Sequence, residues 1–185
     1  MKIFAIYLRL NLIQKPEWFD NFRQKYSEPV DLHITLIQPR YIDETRVDDI
    51  KLKVSNYLNE SKFGTDDKTI KFSNIVCDKE VNGTYTIMLL AENADKVLFI
   101  QKGLKELLMD STEYVDQVTI DYEENFRPHI TIGTNIDKNT LDTVQSCFQS
   151  NNEVAGVLTD LVIPIVKDTS LQERMDINNQ IILDL

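Results

Sequence analysis

Several things are scarce in this chain of 185 residues, and each scarcity excludes something. Cysteine is nearly missing: Cys77 and Cys147 stand far apart and form no CxxC pair, so neither a disulfide framework nor a thiolate metal site is expected. Two unpaired thiols suit a reducing compartment. Glycine and proline number only 5 each beside 42% hydrophobic residues, the composition of an ordinary globular protein and not of a disordered or fibrous one. Nowhere do about 18 apolar residues run together, so no membrane-spanning helix is expected. The apolar opening Met1–Ile6 soon meets Arg9, Lys15 and Glu17 without a small-residue cleavage site, which is not the form of a signal peptide. These features together predict a cytoplasmic protein. Positive charge is also short: Lys and Arg number 20 against 30 Asp and Glu, for a net charge of −10, and no basic run occurs. A protein that grips a long duplex neutralises many phosphates with Lys and Arg, so long nucleic acid is not the expected partner. A local basic pocket can still sit inside an acidic surface.

A chain of this length buries roughly 70% of its unfolded surface and needs no disulfide or metal to fold. No linker divides it, and residues 1–185 read as a single domain. What appears instead is a twofold echo of element order. Ile3–Leu10 reads as a strand, and Pro16 at a first helical position precedes Trp18, Phe19, Phe22 and Tyr26 on one helical face. Leu32–Ile37 is a second strand. Asp43 caps a helix with Val47, Ile50, Val54, Tyr57 and Leu58 at the 3.6 period. Strands Thr69–Cys77 and Thr84–Ala91 meet around Asn82-Gly83, a hairpin turn. In the second half, Asn93 caps a helix carrying Val97, Ile100, Leu104, Leu107 and Leu108. A strand His129–Gly133, a helix with Leu141, Val144 and Phe148, and strands Val154–Val166 and Gln180–Leu185 complete the chain. Each half thus runs helix, strand, helix, two strands, without detectable residue identity.

The two histidines stand in matching frames. One is His33-Ile34-Thr35-Leu36, the other His129-Ile130-Thr131-Ile132, each on the corresponding strand of its half. Residues two apart on a strand face the same side. His33 therefore points with Thr35, and Arg127 and His129 with Thr131, while Leu32, Ile34, Leu36, Phe126, Pro128, Ile130 and Ile132 turn to the core. Each strand presents an imidazole beside a hydroxyl on a rigid platform. With an unperturbed pKa near 6.5, imidazole lends and takes protons near neutral pH. Two of them across a phosphate let one deprotonate the nucleophile while the other protonates the leaving oxygen. The hydroxyls of Thr35 and Thr131 can donate to the non-bridging oxygens.

These segments, with the lead-in Phe126-Arg127-Pro128 and the opening Ile3-Phe4-Ala5-Ile6, resemble the two-histidine (2H) phosphoesterases, whose signature is a duplicated His-x-Thr. That group includes 2′–5′ RNA ligase-like proteins, cyclic nucleotide phosphodiesterases and 2′,5′-oligoadenylate phosphodiesterases. Ile37-Gln38-Pro39-Arg40 departs from the group's common form and leaves the subfamily open. The resemblance implies an α+β fold, bilobal and pseudo-twofold, with two antiparallel sheets, flanking helices and a central groove. It implies His33 and His129 as the catalytic pair, no metal, no cofactor, and a nucleotide or RNA end as substrate. A monomer is expected.

Plainer readings apply to the same residues. A lone strand histidine is more often structural, but here both histidines of the chain share one motif. Two histidines suit zinc, yet neither motif holds a third ligand at close spacing. Arg127 is open to two readings, a phosphate or base contact or a solvated charge. Tyr7 is either a base-stacking surface or an ordinary sheet position. Arg40 and Tyr41 read as loop or as one end of the groove, and Trp18 and Phe22 as core. The leading activity is opening or hydrolysis of a phosphodiester at a ribose 2′ oxygen, such as a 2′,3′-cyclic phosphate. A 2′,5′-oligoadenylate phosphodiesterase, an RNA-end ligase or a non-catalytic binding module stand as alternatives. Which histidine is acid and which is base is not readable from sequence.

Overall fold

Alternating burial builds the first strand. In β1 (Lys2–Gln14) the side chains of Phe4, Ile6, Leu8 and Leu10 are buried while Ala5, Tyr7 and Arg9 are half-buried on the opposite face, as the period of two requires. The computed structural model describes residues 1–109, 113–145 and 153–185. After β1 come α1 (Trp18–Tyr26), β2 (His33–Ile42), α2 (Val47–Ser61), β3 (Thr69–Lys79), β4 (Tyr85–Ala91) and α3 (Asp95–Leu108). The second part contains β5 (Glu113–Tyr114), α4 (Val118–Glu124), β6 (His129–Ile136), α5 (Lys138–Gln145), β7 (Val154–Val166), α6 (Leu171–Met175) and β8 (Gln180–Asp184). Short β5, α4 and α6 have no counterpart in the sequence reading, being too brief to show a period. Cys147 and Phe148 lie outside the described residues, and Cys77 is half-buried in β3.

Helical periodicity is where the sequence placed it. Ile50, Val54 and Leu58 on α2, and Val97, Ile100, Leu104 and Leu108 on α3, are buried. Phe19 and Phe22 on α1 are buried too, with Trp18 and Tyr26 packed beside them. Each such side chain contributes about 1.5–3 kcal/mol of burial. Two caps differ from expectation. The helix α1 begins at Trp18, and the Pro16 carbonyl accepts the Phe19 N–H at 3.1 Å. Asn93 does not cap α3; its amide instead accepts from the Lys71 N–H (2.9 Å) and donates to the Thr69 carbonyl (2.8 Å), since a short amide serves whichever backbone groups lie nearest. Asp43 caps the turn Glu44–Arg46 that leads into α2, accepting from the Thr45 N–H at 2.9 Å. At the β3–β4 turn, Gly83 has φ +86, which glycine adopts without a Cβ penalty.

The class is α+β, and the strand pairs are antiparallel, in the order β5-β2-β1-β7-β3-β4-β6, with β8 added to β7. The two separate antiparallel sheets expected are instead one sheet among the described residues, because β7 joins the two strand sets: it pairs with β1 over Ala155–Val166, with β3 over Val154–Val157, and with β8 over Asp160–Pro164. The motif strands β2 and β6 are far apart in this order, yet they touch, so the sheet curls to bring them together. Helices cross-brace the approach: α1, which precedes β2, packs on β6, while α3 and α4, which precede β6, pack on β2.

The echo extends to irregularities. Against β1, strand β2 carries an extra residue at Leu36 and another within Gln38-Pro39. Against β4, strand β6 carries an extra residue at Ile132 and another within Thr134-Asn135. Both pairs fall at the same offsets from the two histidines. A bulge bends its strand and re-aims the side chains beyond it. In β2 the first bulge places Leu36 and Ile37 both in the core and changes the phase of the alternation, and the second restores it, so that Arg40 and Ile42 turn inward. In β6 the residue equivalent to Ile37 is Gly133, where a Cβ would stand 3.0 Å from Phe22 Cε1 of α1 and 2.8 Å from Ile136 Cδ1.

Candidate active site

His33 and His129 each open a motif strand, half-buried, while Ile34, Leu36, Ile130 and Ile132 behind them are buried. The two imidazoles are held by the same device. His33 Nδ1 lies 2.7 Å from the carbonyl oxygen of Asp31, and His129 Nδ1 lies 2.6 Å from that of Arg127. A carbonyl only accepts, so each Nδ1 carries a proton, and Nε2 of the neutral ring is left bare for proton transfer. Each anchoring residue is itself tied by its side chain. Asp31 pairs with Arg9 of β1 at 3.4 Å, and Arg127 pairs with Asp78 of β3 at 3.2 Å.

Three adjoining hollows meet at these residues. One of about 290 Å³ runs from His129 and Thr35 to Arg127, Tyr122 and Phe126. Another of about 300 Å³ contains His33, Thr35, Tyr7 and Arg174. A third of about 180 Å³ holds His33 together with Thr131, Arg23 and Arg174. Thr35 and Gln38 line the first two, and His33 the last two. The predicted residues His33, His129, Thr35, Thr131, Arg127 and Tyr7 therefore all border one connected cleft. Tyr7 faces Thr35 in the strand register and sets its ring against His33, with centroids 4.6 Å apart. Arg127 borders the cleft with its guanidinium half exposed and engaged by Asp78.

Electrostatics favour neutral rings. Burial is the main cause that lowers the pKa of both histidines from the ordinary value, and the carbonyl hydrogen bonds oppose it. At His33 the charges of Arg174, Arg23 and His129 lower it further. At His129 the two nearby charges act against each other, Arg127 lowering the pKa and Asp78 raising it.

Sequence reasoning missed what stands behind the cleft. Arg40 is neither loop nor groove edge: it lies within β2 at 1% exposure, on the inward face that the second bulge restores. Tyr41, likewise in β2, is half-buried. Arg40 Nη2 donates to Glu123 Oε2 at 2.5 Å and to the Tyr114 hydroxyl at 2.9 Å, and it stacks on the Tyr114 ring at 4.4 Å. The Tyr114 hydroxyl also donates to Glu123 at 2.9 Å, and burial followed by that bond pushes its pKa up to about 12. Glu123 Oε1 accepts the Gln38 N–H at 2.7 Å, a bond available because the bulge turns Gln38 away from β1. This buried cluster fixes α4, and hence Tyr122 and the lead-in to His129, against β2. Arg23 and Arg174 were also missed, because neither lies near a motif in sequence. The one legible sign was the arginine at position 40 on a strand of otherwise apolar inward residues.

Two neutral-preferring imidazoles, two hydroxyls and several arginines suit proton transfer around a bound phosphate. Among the described residues no three His, Cys, Asp or Glu side chains converge on a possible metal position. None of the described helices is long and apolar enough to cross a membrane.

Solved structures of similar fold include Usb1 of Kluyveromyces marxianus, alone and with uridine monophosphate. Each has a TM-score of 0.54 and 11% identity, covering 99% of this chain and 98% of that one. Escherichia coli LigT complexed with 3′-AMP has a TM-score of 0.49 and 10% identity, over 100% of this chain and 95% of that one. No curated protein matches. The family model described as the 2′-5′ RNA ligase superfamily matches residues 10–163, which include both His-x-Thr strands. The chain belongs to the 2′-5′ RNA ligase superfamily, the two-histidine group that its motifs resemble.

Proposed function

We propose that this protein is a metal-independent phosphoesterase acting on a 2′-linked or 2′,3′-cyclic phosphodiester of a nucleotide or RNA end, with His33 and His129 as the acid–base pair. The observation that carries the reading is the matched pair of imidazoles in one cleft, each with Nδ1 on the carbonyl two residues upstream. In hydrolysis of a 2′,3′-cyclic phosphate, Nε2 of one neutral ring removes a proton from water. The water oxygen bonds to phosphorus as the bond from phosphorus to one ribose oxygen breaks. The other ring, charged beforehand, gives its Nε2 proton to that oxygen. The two imidazoles exchange roles in the reverse, ester-forming direction. Thr35 and Thr131 donate to the non-bridging oxygens, and Tyr7 supports the His33 ring from the side.

A nucleotide-sized ligand fits hollows of about 290 and 300 Å³. The Usb1 of similar fold holds uridine monophosphate, and the net charge of −10 disfavours a long duplex. We read residues 1–185 as one domain and the protein as monomeric and cytoplasmic. The test is a turnover screen over 2′,3′-cyclic nucleotides, 2′,5′-linked oligoadenylates and RNA with cyclic-phosphate ends. Turnover of any class, lost in His33→Ala, supports the reading. Binding of these compounds without turnover overturns it in favour of a binding module.

A further inference from the structure

The smallest hollow beside His33 is built of polar groups. Arg23 enters it from the last turn of α1 and Arg174 from α6, with the hydroxyl residues Ser27, Thr131 and Thr134 around them. Among the described residues, Arg23 Nη2 donates to the Val30 carbonyl at 2.9 Å, and Arg174 Nη2 to Glu28 at 2.6 Å. The Nε–H of each is buried and has no hydrogen-bond partner among the described residues. A buried donor left unsatisfied costs about 1–3 kcal/mol, so two of them at one hollow point to an acceptor that arrives from outside. The carboxylates there are already engaged, Glu28 by Arg174 and Asp31 by Arg9.

We infer that Arg23 and Arg174 form a second phosphate subsite beside the His-x-Thr centre, so that the substrate is a nucleotide or RNA end carrying a further phosphate besides the one that reacts. The guanidinium fork matches phosphate oxygens better than an ammonium does, and the neighbouring hydroxyls can complete the set of donors. His33 lies in the same hollow, so one substrate can reach both centres. Arg174 falls outside residues 10–163, which makes this half of the subsite a property of the chain's own later segment. The inference rests on the reading above for the place of the reacting phosphate, and on the two orphaned donors for the place of the second.

Calorimetric titration of the intact protein with adenosine 3′-monophosphate and adenosine 3′,5′-bisphosphate tests it. The wild type should bind the bisphosphate at least about tenfold more tightly, as one charge-assisted contact allows. Arg174→Gln and Arg23→Gln should each bring the ratio of the two dissociation constants toward one. Glu28→Gln should raise that ratio, because Arg174 is then released to the ligand, an effect no purely structural role for Arg174 would give. Arg174 and Glu28 are surface residues, so those two variants carry the test if Arg23→Gln does not fold. A wild-type ratio near one, a ratio unmoved by Arg174→Gln, or no binding of the bisphosphate overturns the subsite. Because the readout is binding, the two readings separate. Bisphosphate preference without turnover of any diester sinks the catalytic reading alone, and turnover without that preference sinks the subsite alone.

Discussion

Arg40 on β2 and Glu123 on α4, distant in sequence, meet as an ion pair at 2.5 Å with side chains 2% and 1% exposed. Removing one partner leaves the other charge buried and uncompensated. Glu123→Ala or Arg40→Ala should therefore cost about 3–5 kcal/mol, read from the midpoint of denaturant unfolding. Replacing both with apolar residues of similar volume should cost less than either single change. A loss under about 1 kcal/mol for Glu123→Ala would show that the pair is dispensable.

Turnover should depend steeply on the histidines. His33→Ala and His129→Ala should each reduce it by about a hundredfold or more. The double variant should be little worse than either, since the two act as one unit. Thr35→Ala and Thr131→Ala should cost less, each removing one of several donors. Initial rates of all five variants on a confirmed substrate decide this. Near wild-type turnover in a single histidine variant would end the two-histidine mechanism.

Both histidine pKa values are lowered, burial first among the causes, and the sign for stability follows. Below the unfolded value of about 6.5 the unfolded chain takes up protons that the native rings resist. Native stability should thus be full above that pH and fall as the pH drops from there through the lowered folded values. His33→Gln should flatten this fall. Unfolding midpoints between about pH 7 and pH 5 measure it. Activity should follow a bell, one ring neutral and one charged, with apparent values belonging to the pair.

Chelation should leave the rate unchanged, because the described residues offer no cluster of three ligating side chains. The comparison is turnover before and after EDTA, with a divalent ion added back. Loss and restoration would show that a metal carries the chemistry.

What the sequence made legible was whatever repeats with a period. The apolar faces of α2 and α3, the alternation in β1 and the bounds of β7 all follow from local spacing, as does the shared face of each histidine and threonine. The matched bulges were invisible, because an extra residue is defined only against the partner strand. The same holds for Asn93, whose choice between helix and strand depends on where Lys71 lies. Arg23 and Arg174 reach the cleft, and Glu123 the buried cluster behind it, through tertiary packing, and no local spacing announces them.

The central place of β7 also bears on how the molecule comes to be folded. Arg9 of β1 finds its partner Asp160 of β7 at a separation of 151 residues. At synthesis rates of about 5–20 residues per second, roughly eight to thirty seconds pass between the emergence of the two strands. Until then β1 has β2 on one edge and unpaired backbone on the other, the exposed template that invites intermolecular pairing. Contacts of such long range also slow refolding. Recovery from denaturant should accordingly be slow and sensitive to protein concentration, and nascent chains ending before Val154 should be the species most readily held by chaperones.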